Sequence, residues 1–217
     1  NFPDYKILIN KYNDSLWPGH RPESDLMLEH NQVFINDYKL DTCKIIEKLQ
    51  KLAELGIENY SDDVDIWLLL DDYEIDCDEK KDIISHIFSE SRVGVIYGSA
   101  GVGKSTLINH VSHYLNAKEK LYLTQTNPAK ENLMRKIDAN NATFSTIASF
   151  LGQNSSVTEY ELLVVDECST VSNKDMVKVL EKANFKMLLL VGDTYQIDAI
   201  QFGNWFSVLK SFLPESA

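Results

Sequence analysis

The stretch that most constrains the fold of this chain is GSAGVGKST, which begins at Gly98. The fixed positions of the Walker A pattern are held by Gly98, Gly103, Lys104 and Ser105. In this pattern glycines let backbone N–H groups turn toward phosphate oxygens. The apolar stretch VGVIY precedes the loop, and apolar residues at helical spacing follow it over 104–115. A strand, a phosphate loop and a helix in this order predict a nucleotide site at the helix N-terminus.

The residue types of this loop indicate that it binds ATP with Mg²⁺. Lys104 is expected to reach the β- and γ-phosphates, and the Ser105 hydroxyl is expected to ligate the metal. Backbone groups along the loop would surround the phosphates. The predicted nucleotide-binding residues of the loop are Gly98, Ser99, Ala100, Gly101, Val102, Gly103, Lys104, Ser105 and Thr106.

Three further apolar stretches follow the phosphate loop. They predict strands over 121–125, 161–166 and 186–193, with a helix over 128–137 between the first two. Strands that alternate with helices indicate a parallel sheet covered on both faces. The predicted fold class is therefore α/β, a P-loop NTPase preceded by a mainly helical N-terminal segment.

Two polar stretches follow predicted strands, at the edge where open α/β sheets bind ligands. Asp166 is predicted to hold Mg²⁺ through a water, and Glu167 to polarise the attacking water as a general base. In LLLVGDTYQIDAI, Gln196 follows another strand and can reach a γ-phosphate. A helix-capping Asp193, with no special role for the glutamine, is the alternative for that stretch.

The acidic residues are concentrated in the first 90 positions. Residues 1–90 hold 21 Asp/Glu against 9 Lys/Arg, a net charge of −12, whereas residues 91–217 hold 12 of each. We therefore predict an acidic N-terminal extension over 1–90 and a nucleotide-binding domain over 91–217. Because acidic surface repels the phosphates of nucleic acid, the nucleic acid is not expected to bind to the extension. A solvated face and a docking surface for a protein partner both account for the acidity.

Helical spacing of apolar residues predicts three helices in the acidic extension. They cover 40–55, where Gly56 is expected to end the helix, then 64–73 and 79–89. Residues 1–36 are interpreted as irregular, because SLWPGHRPES carries two prolines and a glycine.

The sequence carries no signal peptide and no apolar run of membrane-spanning length, which predicts no membrane association. The three cysteines are widely spaced without a metal-binding pattern, which favours a reducing, cytoplasmic location. The missing initiator Met indicates an excised piece of a longer protein. His110 and His113 lie three residues apart on the predicted Walker helix with no carboxylate near them in sequence, so both are interpreted as structural.

The order and spacing of GSAGVGKST, VVDEC and GDTYQIDAI resemble motifs I, II and III of superfamily 1 helicases. The RecD-like branch is the most similar, and the resemblance extends over about 92–210. It implies a RecA-like first motor domain that acts on single-stranded nucleic acid, DNA more than RNA. LTQTNPAKENLMRKI is similar to motif Ia, and TFSTIASFLG is similar to the segment after it. The resemblance implies nucleic-acid contacts from Thr126, Asn127 and Thr146.

Some of these side chains could serve the fold instead of a ligand. An ordinary N-terminal helix cap is the alternative for Thr126 and Asn127. The aromatic side chains of FGNWFSVL, which resembles the stretch beyond motif III, are interpreted as core packing in preference to base stacking, because their spacing gives one helical face. They are Phe202, Trp205 and Phe206.

The sequence departs from the helicase pattern at three points. Ala148 stands where a histidine is usual, and Lys80 or Lys81 stands near the place of a glutamine that reads adenine. No second RecA-like domain with its arginine finger fits in the residues after motif III. The resemblance therefore implies that the second RecA-like domain of the parent chain is a partner, and that this chain alone hydrolyses ATP slowly.

Two other functions remain open from the sequence. One is a nucleotide-dependent protein-interaction module, in which the acidic extension binds a partner and no unwinding occurs. The other is a small-molecule or nucleoside kinase. Glu167 as a water activator and the stretch from Gly192 to Gln196 argue against the kinase, which needs neither.

Overall fold

A five-stranded parallel sheet forms the centre of the computed structural model. The structure describes residues 4–19, 24–70, 73–99, 101–153, 158–193 and 204–213. The strand order is β3-β7-β6-β4-β5. The strands of this sheet are β3 (Val93–Tyr97), β4 (Lys120–Thr124), β5 (Ala142–Thr146), β6 (Glu159–Val165) and β7 (Asn184–Gly192). The predicted parallel α/β sheet is confirmed.

Helices lie along the chain before, between and after these strands. Those of the first 90 residues are α1 (Tyr5–Ser15), α2 (Asn36–Ala53), α3 (Tyr60–Leu70) and α4 (Asp78–His86). Those that follow β3 are α5 (Lys104–Tyr114), α6 (Asn127–Lys136), α7 (Ile147–Gly152), α8 (Asn173–Lys182) and α9 (Trp205–Leu209).

Alternate residues of the central strands enter two separate apolar cores, as the two-residue period of a strand requires. Leu163 and Val165 of β6 lie in the first core, with buried residues of α2, α7, α8 and α9. Leu162 and Val164 lie in the second core, with buried residues of α3, α4, α5 and α6. The sheet is therefore covered by helices on both faces.

Helices of the acidic segment complete both cores. Ile45 and Leu49 of α2 are fully buried in the first core, where α2 packs against α8. Val64 of α3 and Ile84 of α4 are fully buried in the second core. The acidic side chains of α2, α3 and α4 thus lie on helices whose apolar faces pack in the two cores of the sheet.

The interpretation of residues 1–36 as irregular is wrong. Helix α1 is capped by Asp4, whose Oδ1 accepts from Lys6 N at 3.0 Å. Strands β1 (Leu26–Glu29) and β2 (Gln32–Ile35) form an antiparallel hairpin. Its two-residue turn has His30 and Asn31 at φ 49° and 63°, the left-handed conformation that tight hairpin turns require. In the sequence, the prolines and the glycine that suggested a loop lie between α1 and β1.

The three predicted helices of the acidic segment are present, each with an earlier start. Gly56 does not end the first of them, because α2 stops at Ala53. A Cβ on Gly56 would lie 1.9 Å from the Ser89 carbonyl oxygen. Glycine is therefore required there for a close approach of two chain segments, and its role is tertiary. Among the described residues no helix has the length and apolarity to cross a membrane.

Candidate nucleotide-binding site

The phosphate loop has the backbone conformation that its glycines predict. Gly101 and Gly103 have φ of +86° and +92°, in the left-handed region where a side chain is strained. A Cβ on Gly98 would lie 2.7 Å from Cγ2 of Val102. Gly103 is the N-cap of α5, so the positive end of this helix faces the loop. Ala100 lies outside the described residues.

Lys104 holds its ammonium over the loop. Its Nζ donates to the carbonyl oxygens of Gly98 at 2.5 Å and Ser99 at 2.8 Å. The Gly98 N–H donates to the Gly192 carbonyl oxygen at 3.1 Å, which ties the loop to the end of β7. The ammonium therefore stands among loop groups, where a phosphate oxygen could replace the carbonyls.

The acidic pair follows β6 at the same edge of the sheet. Asp166 N donates to the Leu123 carbonyl oxygen at 2.9 Å, and Glu167 N donates to Asp166 Oδ1 at 2.9 Å. Glu167 has φ 57°, a left-handed conformation that is uncommon for a residue with a side chain. Its carbonyl oxygen accepts from the Thr170 hydroxyl at 2.8 Å, which helps to hold this conformation. Such local strain is frequent at functional sites.

Burial raises the pKa of both carboxyls above their usual range. For Asp166 this effect is opposed by the Glu167 N–H and by the charges of Lys104 and Lys136. For Glu167 the neighbouring Asp166 charge raises the pKa further, and Lys104 opposes it. A raised pKa makes Glu167 a stronger proton acceptor near neutral pH, as its predicted role as a general base requires.

These groups share one cavity of about 580 Å³, a size typical of small-ligand sites. Its predicted members come from the loop and the acidic pair. Asn109, Asn132 and Lys136 also line it, and the sequence pattern placed none of the three at the nucleotide. The full lining is Gly101, Gly103, Lys104, Ser105, Thr106, Asn109, Asn132, Lys136, Asp166, Glu167, Gly192 and Asp193.

The residues present fit ATP with Mg²⁺. Gly101 and Gly103 have the left-handed conformation that lets backbone N–H groups of the loop turn toward phosphate oxygens. Ser105 and Asp166 carry oxygen atoms of the kind that Mg²⁺ prefers, and this metal usually binds through few protein groups together with phosphates and water. The described part of the chain holds no cluster of three His, Cys, Asp or Glu residues able to bind a metal by itself.

The predicted nucleic-acid residues lie at helix starts. The Thr126 hydroxyl accepts from Ala129 N at 3.3 Å as the N-cap of α6, where Asn127 is the first residue. The Thr146 hydroxyl accepts from Ser149 N at 3.2 Å as the N-cap of α7. Strands β4 and β5 are neighbours, so the two helix starts lie side by side. The structure shows the capping alternative for Thr126, and contact with nucleic acid stays a prediction.

Of the two lysines near the expected place of an adenine-reading glutamine, Lys80 lies beside the phosphate loop. Its Nζ is 3.6 Å from the position of a Cβ on Gly103, and it pairs with Asp76. Asp76 also accepts from His110 Nε2 at 3.0 Å, and these two hydrogen bonds lower the Asp76 pKa to about 2. His110 thus has a carboxylate partner that its sequence neighbourhood did not show.

The predicted core role of the aromatic residues after motif III is confirmed for the two that the structure describes. Trp205 and Phe206 are buried in the first core, and Trp205 Nε1 donates to the Val171 carbonyl oxygen at 2.9 Å. Phe202 lies outside the described residues. So does Gln196, whose predicted γ-phosphate contact stays a prediction.

The phosphate loop follows β3 and the acidic pair follows β6, and β7 lies between these two strands in the sheet. This arrangement defines a P-loop NTPase of the RecA-like class. A family model described as an AAA domain matches residues 78–215. The chain belongs to this family. No curated protein matches it at a significant level.

Solved helicase structures resemble the chain. The UvsW helicase from bacteriophage T4 has a TM-score of 0.52 at 15% identity, covering 74% of this chain and 68% of that one. Pif1 from a Bacteroides species, in complex with ADP-AlF4, has a TM-score of 0.42 at 19% identity, covering 64% and 37%. Arterivirus nonstructural protein 10, a helicase in complex with DNA, has a TM-score of 0.41 at 15% identity, covering 55% of this chain and 34% of that one. The likeness to UvsW confirms the RecA-like fold. The chain spans about a third of the last two proteins.

Proposed function

We propose that this chain binds and hydrolyses ATP with Mg²⁺ as the first motor domain of a RecD-like helicase acting on single-stranded nucleic acid. The observation that carries the proposal is the cavity shared by Lys104, Asp166 and Glu167. A phosphate-binding cation, a metal-binding carboxylate and a carboxylate base in one cavity are the groups that ATP hydrolysis needs. The order of helicase-like motifs along the sequence supports the choice of a helicase.

Each residue of the site has a part that follows from its chemistry. Lys104 neutralises phosphate charge, and the α5 N-terminus adds backbone N–H donors. Ser105 and Asp166 would hold Mg²⁺, which supplies positive charge to the phosphate oxygens when bound. Glu167 orients a water and accepts its proton, because burial raises its pKa toward neutrality. Gln196 is proposed to contact the γ-phosphate.

The nucleic acid is proposed to bind at the neighbouring starts of α6 and α7. Backbone N–H groups at helix starts favour phosphates, and Lys130 adds positive charge one turn into α6. Single-stranded DNA is favoured over RNA. The second RecA-like domain of the parent chain and a protein bound to the acidic segment are the proposed partners. We also propose a cytoplasmic location, since the three cysteines are free.

Calorimetry with Mg²⁺–ATP tests the proposal. Lys104→Ala is expected to abolish most binding, because a charge-assisted phosphate contact contributes about 1.5–3 kcal/mol. Glu167→Gln should bind ATP but not hydrolyse it. The matched control is Lys81→Ala, which removes a lysine that pairs with Asp78 on the surface. Equal affinity of Lys104→Ala and the wild type would contradict the proposal.

Fluorescence anisotropy with labelled single-stranded DNA and RNA tests the second part of the proposal, the binding of single-stranded nucleic acid. The wild-type chain is expected to bind the DNA oligonucleotide, with weaker binding to RNA. ATP binding without affinity for either strand would favour the protein-interaction module.

A further inference from the structure

Helix α6 brings a second lysine to the nucleotide cavity. Asn132 and Lys136 line the cavity, and they lie four residues apart, on one face of the helix. We propose that Lys136 is a nucleotide-contacting residue, whose ammonium binds the triphosphate from an element other than the phosphate loop. The proposal rests on the function proposed above and adds a contact that the Walker motifs do not include.

The position of Lys136 is set by buried neighbours. Leu133 and Ile137 are 2% and 5% exposed and pack in the second core, so the last turn of α6 is anchored to the sheet. The residue after this turn is held as well, because Asp138 N donates to Asn109 Oδ1 of α5 at 2.8 Å. The backbone that carries Lys136 is therefore fixed against the helix that begins at the phosphate loop.

The Lys136 side chain is available for a ligand. It is exposed, and within the part of the chain that the structure describes its Nζ has no hydrogen bond or ion pair. Neighbouring Arg135 differs, since its Nε donates to the Glu131 carbonyl oxygen at 3.2 Å and it does not line the cavity. Two adjacent cations on one helix thus have different surroundings, and only one of them faces the site.

The charges of the cavity favour this role. Its described carboxylates are Asp166, Glu167 and Asp193, whereas its described cations are Lys104 and Lys136. With Lys104 alone, a negatively charged nucleotide would enter a cavity with three carboxylates and one cation. Because like charges repel strongly in a partly desolvated site, a second cation reduces this repulsion. Lys136 also acts on the Asp166 carboxyl, whose pKa its charge lowers.

The test compares Lys136→Ala with its matched control Arg135→Ala in the 217-residue chain. Calorimetry with Mg²⁺–ATP measures Kd, and circular dichroism checks that each variant folds. Lys136→Ala is expected to raise Kd about tenfold, the effect of one charge-assisted contact. Arg135→Ala should stay within about twofold of the wild type, because Arg135 does not line the cavity and the charge of an exposed side chain is screened by salt. Lys136→Arg should retain most of the affinity.

Several results would overturn the inference. They are an unchanged Kd in Lys136→Ala, an equal loss in Arg135→Ala, and a loss of single-strand binding with unchanged ATP affinity. If Lys136→Ala does not fold, Lys136→Gln keeps the aliphatic stem and takes its place. Lys104→Ala separates the two proposals. If it abolishes binding while Lys136→Ala does not weaken it, this inference alone fails. If Lys104→Ala leaves binding intact, the proposed function fails.

Discussion

Helix α2 belongs to the acidic segment, and weakening its packing in the first core should destabilise the nucleotide-binding domain. Leu49 is fully buried in the first core, whereas Leu55, just beyond the same helix, is 73% exposed. Leu49→Ala removes buried methyl groups and leaves a cavity, which costs about 3 kcal/mol. In a chain of this size each kcal/mol lowers Tm by about 2–4 °C, so we expect a fall of about 6–12 °C.

Leu55→Ala is the matched control, since it makes the same chemical change at an exposed position. It should change Tm by little, because surface substitutions usually change stability within about 0.5 kcal/mol. Thermal unfolding followed by circular dichroism, with and without Mg²⁺–ATP, measures both variants. An equal change of Tm in the two variants would refute the reasoning. It would mean that α2 is not an integral part of the sheet's core.

Two further predictions concern the Asp166 carboxyl and the rate of ATP hydrolysis. Burial raises the pKa of Asp166 in the folded state, so its ionisation destabilises the fold as pH rises through that pKa. Asp166→Asn should therefore raise Tm at pH 7 without nucleotide or metal, with a gain that shrinks toward acid pH. The exposed Asp138→Asn is the control, and an equal gain there would argue against a burial effect. We also expect slow ATP turnover by this chain alone, because an arginine finger contributes about 10³–10⁵ in rate and the described cavity lining contains no arginine. Steady-state turnover of several per second that Glu167→Gln abolishes would contradict this expectation.

The parts of the site that lie close together in sequence were predictable. The phosphate loop depends on closely spaced glycines between a strand and a helix, and its geometry is local. The acidic pair comes directly after an apolar stretch, so its place at a strand end follows from the sequence pattern. Its predicted place is confirmed, with Asp166 directly after β6. What the pattern did not show is the left-handed backbone of Glu167, which the following turn holds.

Tertiary structure decided which distant residues meet. Lys136 reaches the cavity because α6 packs beside α5, and Asp76 meets His110 because α4 packs on α5. Such contacts depend on helix packing angles and side-chain shapes, which the spacing of residues within a short stretch of sequence does not encode. The N-terminal hairpin was missed for a related reason. Its turn uses His30 and Asn31 where glycine would give a clear signal, whereas nearby prolines suggested a loop. The sequence by itself determined the chemistry of the nucleotide loop, and packing across the sheet determined its surroundings.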